Sequence, residues 1–181
     1  ALCCYEYALM LRIGGRPVQF LPTIVLGTAL AACAALGGPL APTLAAGAVL
    51  VLLVEMFSKV HSLDRVALTL FGALFAGWLP AHLALIRDMR PHGEAFVFLT
   101  FAAVWAMDSV AYAVGRGFGK RSLAPNLSPK KTWEGAGAGF IAAMAVCYAF
   151  QKFLLPDAVT PVQALIIGVV IGVMGQLSDL A

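Results

Sequence analysis

The residues of this 181-residue chain whose types and spacing could do chemistry gather between Asp108 and Gly139. The stretch reads DSVAYAVGRGFGKRSLAPNLSPKKTWEGAGAG and holds five of the twelve lysines and arginines. Asp108 lies within an apolar run, residues 95–114, about 10 Å along a helix from Gly115. A carboxylate at that depth in lipid costs at least a few kcal/mol unless it is paired or faces water. It therefore either lines a polar cavity or makes a structural contact between helices, and intramembrane acids favour the first reading. Gly115, Gly117 and Gly119 alternate with Arg116, Phe118 and Lys120, and Arg121 follows. Glycines let a backbone approach a ligand, and the cations attract anions. The spacing is not that of a Walker A loop, which would need Gly at 114 and Ser or Thr at 121, and it is not a dinucleotide fingerprint. The plainer reading is a basic loop drawn to anionic lipid headgroups.

Ser128-Pro129 reads as a helix start, with Ser128 as N-cap and Pro129 in the first helical position. Lys130, Lys131, Thr132 and Glu134 then fall in the first two turns. A helix N-terminus favours anions, so two lysines there are unfavourable unless a phosphate supplies the negative charge. The competing reading makes these lysines topology signals. Together the features describe an anion site at a membrane surface beside a buried acid, suited to a phosphorylated ligand, with or without a metal.

The elements that must position this stretch follow from composition. Hydrophobic residues make up 61% of the chain, charged residues only 12%, and mean hydropathy is +0.91. A soluble domain carries about 25% charged residues, so lipid is the solvent that suits this chain. A membrane-spanning helix needs about 20 apolar residues. The stretches Phe20–Leu36, Pro42–Phe57, Val66–Ile86, Glu94–Val114 and Trp133–Leu155 meet or approach that length, and Pro161–Leu180 makes a sixth. Ala1–Ile13 reads as the end of a seventh, and both termini as cuts through a longer protein. Runs such as Val49–Val54 are apolar on every face, which excludes the alternation of barrel strands. The expected fold is an all-α, polytopic transmembrane helix bundle forming one domain over residues 1–181. Gly135 and Gly139 form a small-xxx-small pair expected to bring two helices together. Cys3, Cys4, Cys33 and Cys147 read as small buried hydrophobes, and His61, His82 and His92 as interfacial residues in or beside loops.

If the helices alternate in direction, one side carries Arg12, Arg16, Lys59, Arg65, Arg116, Lys120, Arg121, Lys130 and Lys131. The other carries Arg87, Arg90 and Lys152. The positive-inside rule makes the first side cytoplasmic, and Asp179 then emerges there too.

At these residues the chain resembles the phosphatidate cytidylyltransferases, the CDP-diacylglycerol synthases. The resemblance rests on Asp108-Ser109-Val110-Ala111-Tyr112, Gly115-Arg116, Gly119-Lys120, Leu123-Ala124-Pro125 and the run from Ser128 to Gly135. A second match is Gly175-Gln176-Leu177-Ser178-Asp179-Leu180, with Ser178 where the family usually has Gly and Ser109 where Thr is common. The match covers roughly residues 105–181, and the family's further C-terminal motif is not in the chain, so the piece by itself is expected to be inactive. The resemblance implies transfer of a cytidylyl group from CTP to phosphatidic acid, giving CDP-diacylglycerol and pyrophosphate, with Mg²⁺. It implies catalytic roles for Asp108, Lys131, Glu134 and Asp179, with Asp179 as metal ligand. Arg116, Lys120, Ser128, Lys130 and Thr132 become substrate-binding candidates. The expected partners are CTP, phosphatidic acid and the bilayer, with a second copy of the chain as a candidate and nucleic acid excluded. The expected location is a bacterial inner membrane with the site facing the cytoplasm. A CTP-dependent polyprenol or phytol kinase is the nearest alternative, and a transporter using Asp108 for ion coupling is the third.

Overall fold

The computed structural model describes residues 1–125 and 127–179. Asn126, Leu180 and Ala181 lie outside the described residues, so the last position of the GQLSDL match and of the sixth expected span does too. Among the described residues the chain forms seven helices and one two-stranded hairpin. They fall into two compact units, one over Ala1–Asp88 and one from Met89 to the last described residue.

The first unit contains α1 (Leu2–Ile13), α2 (Phe20–Ala35), α3 (Leu40–Met56) and α4, which runs over Leu63–Arg87. At 16 and 17 residues, α2 and α3 are about 24–26 Å long, short of a full bilayer crossing. Residues 73–78 of α4 form one widened π turn just before Pro80. Proline lacks an amide and its ring crowds the carbonyl four residues back, which disrupts the α ladder at this point. Gly77, in the widened turn, meets Gly27 of α2: a Cβ on Gly77 would stand 2.6 Å from the Gly27 carbonyl oxygen. Leu26, Leu30, Val51, Val66 and Ala73 make the core.

The second unit contains α5 (Gly93–Phe118), the strands β1 (Ser122–Ala124) and β2 (Ser128–Thr132), α6 (Trp133–Phe153) and α7 (Pro161–Ser178). Its helices, like α4, are long and apolar enough to cross a membrane. Residues four apart stack on one helix face, and each of these helices buries such a stripe, made of small residues on α6 and α7 and of mixed sizes on α5. It runs through Leu99, Ala103 and Met107 on α5, Gly135, Gly139, Ala143 and Cys147 on α6, and Ala164, Gly168 and Gly172 on α7. Small residues let the backbones approach. A Cβ on Gly139 would lie 2.8 Å from the Met107 carbonyl oxygen, and one on Gly135 would lie 2.6 Å from that of Ala111. The small-xxx-small pair is therefore the α5–α6 contact. The opposite faces present Phe98, Trp105, Ile141, Ile166 and Val170 outward. So many large exposed apolar side chains suit lipid, since soluble monomers rarely expose contiguous apolar patches beyond a few hundred Å².

Three local expectations are revised. The glycine-rich segment is not a loop: α5 continues through Gly115, Arg116 and Gly117 to Phe118. Second, no helix begins at Ser128. Residues 128–132 pair antiparallel with β1, matching Ser122 to Thr132 and Ala124 to Ser128 across a register irregularity. The N-cap of α6 is Thr132, whose hydroxyl accepts from Gly135 N at 3.2 Å. Ser-Pro favours an extended Ser in either reading, and the pairing with β1, which local propensity does not register, decides between them. Lys130 and Lys131 thus precede the cap, while Glu134 occupies the first turn, where the dipole favours an acid. The proposed conflict between lysines and macrodipole does not arise. Third, Cys4 and Cys147 are buried as expected, but Cys3 is exposed and Cys33 half-buried. His82 lies within α4, its Nδ1 3.0 Å from the Trp78 carbonyl oxygen.

Candidate active site

The hairpin folds over the C-terminal end of α5 and the start of α6. Glu134 closes this fold: its Oε2 accepts from Lys120 N at 3.1 Å and Arg121 N at 3.4 Å, and Trp133 N donates to the Arg121 carbonyl at 3.0 Å. Between the hairpin and the helices opens a cavity of about 660 Å³. From α5 it takes Asp108, Tyr112 and Arg116, which share a face because they are spaced by four. From β2 it takes Ser128, Lys130, Lys131 and Thr132, and from α7 Gln176 and Asp179.

Two carboxylates and three cations thus converge on one apolar-walled space. Lys131 Nζ stands 2.8 Å from Asp179 Oδ2 and also donates to the Asp179 backbone carbonyl, tying β2 to the C-terminal end of α7. A cation at a helix C-terminus is also favoured by the helix dipole. Asp108, by contrast, has no ion-pair partner among the described residues. It faces the cavity from the middle of a membrane-length helix. Arg116 Nη1 donates to the Tyr112 hydroxyl at 2.8 Å, which leaves most of its guanidinium donors free. Gln176 Nε2 donates to the Ala136 carbonyl at 2.6 Å and so fixes α7 against the first turn of α6.

Of the residues singled out from sequence, Asp108, Arg116, Ser128, Lys130, Lys131, Thr132 and Asp179 come together at this cavity. Lys120 and Glu134 do not line it: Glu134 braces the backbone of the connection, and the Lys120 side chain is exposed elsewhere. Thr132 lines the cavity while its hydroxyl is committed to the helix cap. Sequence reasoning left out Tyr112 and Gln176 as site residues. The spacing of Tyr112 from Asp108 and Arg116 was a usable signal; the contact of Gln176 with Ala136 had none. Among the described residues no group of three or more His, Cys, Asp or Glu is placed to hold a metal ion. Asp108 and Asp179 nevertheless face one cavity, and Mg²⁺ is commonly bound by one or two carboxylates, with water and phosphate oxygens completing its shell. The donor set fits that ion.

The chain is 33% identical over 126 residues to the phosphatidate cytidylyltransferase of Bacillus subtilis (strain 168), covering 69% of this chain and 46% of that protein. It is 37% identical over 112 residues to the phosphatidate cytidylyltransferase of Brucella abortus, covering 61% and 40%. Over a shorter stretch of 62 residues it is 48% identical to that of Haemophilus influenzae, covering 34% and 22%. The chain thus spans less than half the length of these relatives. No solved structure matches it. The profile of the Cytidylyltransferase family matches residues 1–181, from end to end, and to that family the chain belongs.

Proposed function

We propose that the second unit carries the cytidylyl-transfer site of an enzyme that converts CTP and phosphatidic acid to CDP-diacylglycerol and pyrophosphate. The observation that supports this most directly is the convergence of Asp108 and Asp179 with Arg116, Lys130 and Lys131 on one cavity at the end of membrane-length helices. In the reaction a phosphate oxygen of the lipid attacks the α-phosphorus of CTP, the new P–O bond forms, and the bond to the leaving pyrophosphate breaks. Such a transfer requires two polyanions held in line with their charge neutralised. Arg116, with its fork of donors steadied by Tyr112, and Lys130 would bind phosphate oxygens. Lys131 would divide its charge between Asp179 and the incoming phosphates. Asp108 and Asp179 would hold Mg²⁺, which supplies charge neutralisation at the leaving group. The apolar walls would exclude water, which otherwise competes for the α-phosphorus. A membrane setting suits an acceptor that stays in the bilayer, and the basic hairpin suits a cytoplasmic mouth by the positive-inside rule.

The test is product analysis of the intact protein with radiolabelled CTP and phosphatidic acid. Labelled CDP-diacylglycerol and released pyrophosphate are expected. Release of CDP with a phosphorylated lipid alcohol would identify a kinase instead, and transport without CTP consumption would reject both.

A further inference from the structure

Five cations stand in the connection from Gly115 to Thr132, with no acidic residue among them. They divide into two groups. Arg116, Lys130 and Lys131 line the cavity, whereas Lys120 and Arg121 do not. The latter two are exposed and have their backbone held by Glu134. That bracing fixes where the two side chains emerge, and neither makes an ion pair among the described residues. The same connection and its junction with α6 leave three large apolar side chains uncovered: Phe118 at the end of α5, Leu127 in the hairpin turn and Trp133 at the start of α6. They are 74%, 73% and 62% exposed. Basic and large apolar side chains together at the end of membrane-length helices form an interfacial pattern: the apolar groups enter the acyl boundary and the cations meet lipid phosphates.

We propose that this hairpin is a bilayer contact, seated on anionic phospholipid through Lys120 and Arg121 with Phe118, Leu127 and Trp133 beneath the headgroups. It is separate from the cavity that it borders. The occupant is an anionic lipid surface and not a protein, because the two exposed side-chain charges are both positive, the one nearby acid, Glu134, is turned onto their backbone amides, and membrane-length helices lead into the patch from either side. The contact would hold the cavity mouth at the headgroup level, where a lipid phosphate can enter without leaving the membrane.

The contact is read without turnover, so its outcome is separate from that of the transfer reaction. The intact protein, with Cys3→Ser and Cys33→Ala and the buried Cys4 and Cys147 retained, carries an environment-sensitive fluorophore on Leu127→Cys. It is reconstituted in nanodiscs of either anionic phosphatidylglycerol or zwitterionic phosphatidylcholine, with shallow-labelled quencher lipids. Strong quenching with a blue shift is expected in the anionic discs. Lys120→Gln and Arg121→Gln should each weaken it by about fivefold in apparent lipid engagement. A probe that stays in water in both lipids overturns the proposal. Equal quenching in both lipids, insensitive to the two substitutions, overturns the role of the cations. Should the fluorophore disturb the turn, quenching of Trp133 in a Trp78→Phe/Trp105→Phe background gives the same comparison at a native side chain.

Discussion

Each unit joins a cation to a carboxylate, and the two pairs differ in how far the carboxylate is satisfied. In the first unit Glu55 is buried, and both of its oxygens are filled. Arg65 donates from Nε at 2.8 Å and Nη2 at 2.7 Å, Ser62 N donates at 2.6 Å, and Gln19 Nε2 at 2.9 Å. Arg65 also donates to Ser58 Oγ and the Val60 carbonyl, and Thr69 links the Gln19 amide to the Arg65 carbonyl. In the second unit Lys131 meets Asp179 through one carboxylate oxygen, both side chains face a cavity, and Asp108 nearby is unpaired. The Glu55 carboxylate, with both oxygens filled, has nothing left to offer a ligand and serves the fold, although the Gln19 side-chain carbonyl beside it stays without a partner. The Lys131–Asp179 pair and the unpaired Asp108 keep capacity for a ligand, which is why the transfer site is proposed in the second unit.

Substitutions can break that contrast. The largest effect is expected at the unsaturated site: Asp179→Asn and Asp108→Leu should each lower turnover in the intact protein by about 100-fold or more, with melting temperature unchanged or raised for Asp108→Leu. Full activity in Asp108→Leu, measured as CDP-diacylglycerol formed, would remove Asp108 from the site. Lys131→Gln should raise KM for one phosphate-bearing substrate more than it lowers melting temperature. A change in stability without a change in KM would make the pair structural, like that of Glu55.

Next in size is Glu55→Leu. It strands Arg65 among buried groups, and breaking such a pair is strongly destabilising because an uncompensated charge remains. A marked fall in melting temperature is expected, with unchanged turnover per folded molecule. An active, normally melting variant would show that the saturated network is dispensable.

Smaller effects sharpen the account of packing. Gly139→Leu should cost about 1–3 kcal/mol by overpacking against Met107, whereas Gly137→Leu, which meets open space, should be nearly neutral. Equal melting of the two variants would deny the close approach of α5 and α6. The smallest effect separates the two candidate caps: Thr132→Ala should cost about 1 kcal/mol, and Ser128→Ala clearly less. The reverse order would restore a helix start at Ser128.

Much of this was legible in the sequence, and for identifiable reasons. Apolar run length alone placed every helix, because a backbone in lipid must satisfy its own hydrogen bonds. The Gly135–Gly139 spacing announced a helix contact because period and side-chain size are local properties. Asp108 was visible because an acid in an apolar run is costly, and Asp179 through the resemblance of residues 175–180 to the family's segment. What the sequence could not decide was which residues meet across distance. Ser128–Thr132 became a strand because β1 supplies partners for its backbone, and cap signals at Ser128 and Pro129 do not register that pairing. Glu134 resembles a catalytic acid in sequence, yet its Oε2 accepts from the amides of Lys120 and Arg121, fourteen and thirteen residues earlier. The Lys131–Asp179 pair spans 48 residues and exists only because α6 and α7 return antiparallel over their small-residue stripes. Local chemistry named the groups, and tertiary packing decided which would face the cavity and which would hold the chain around it.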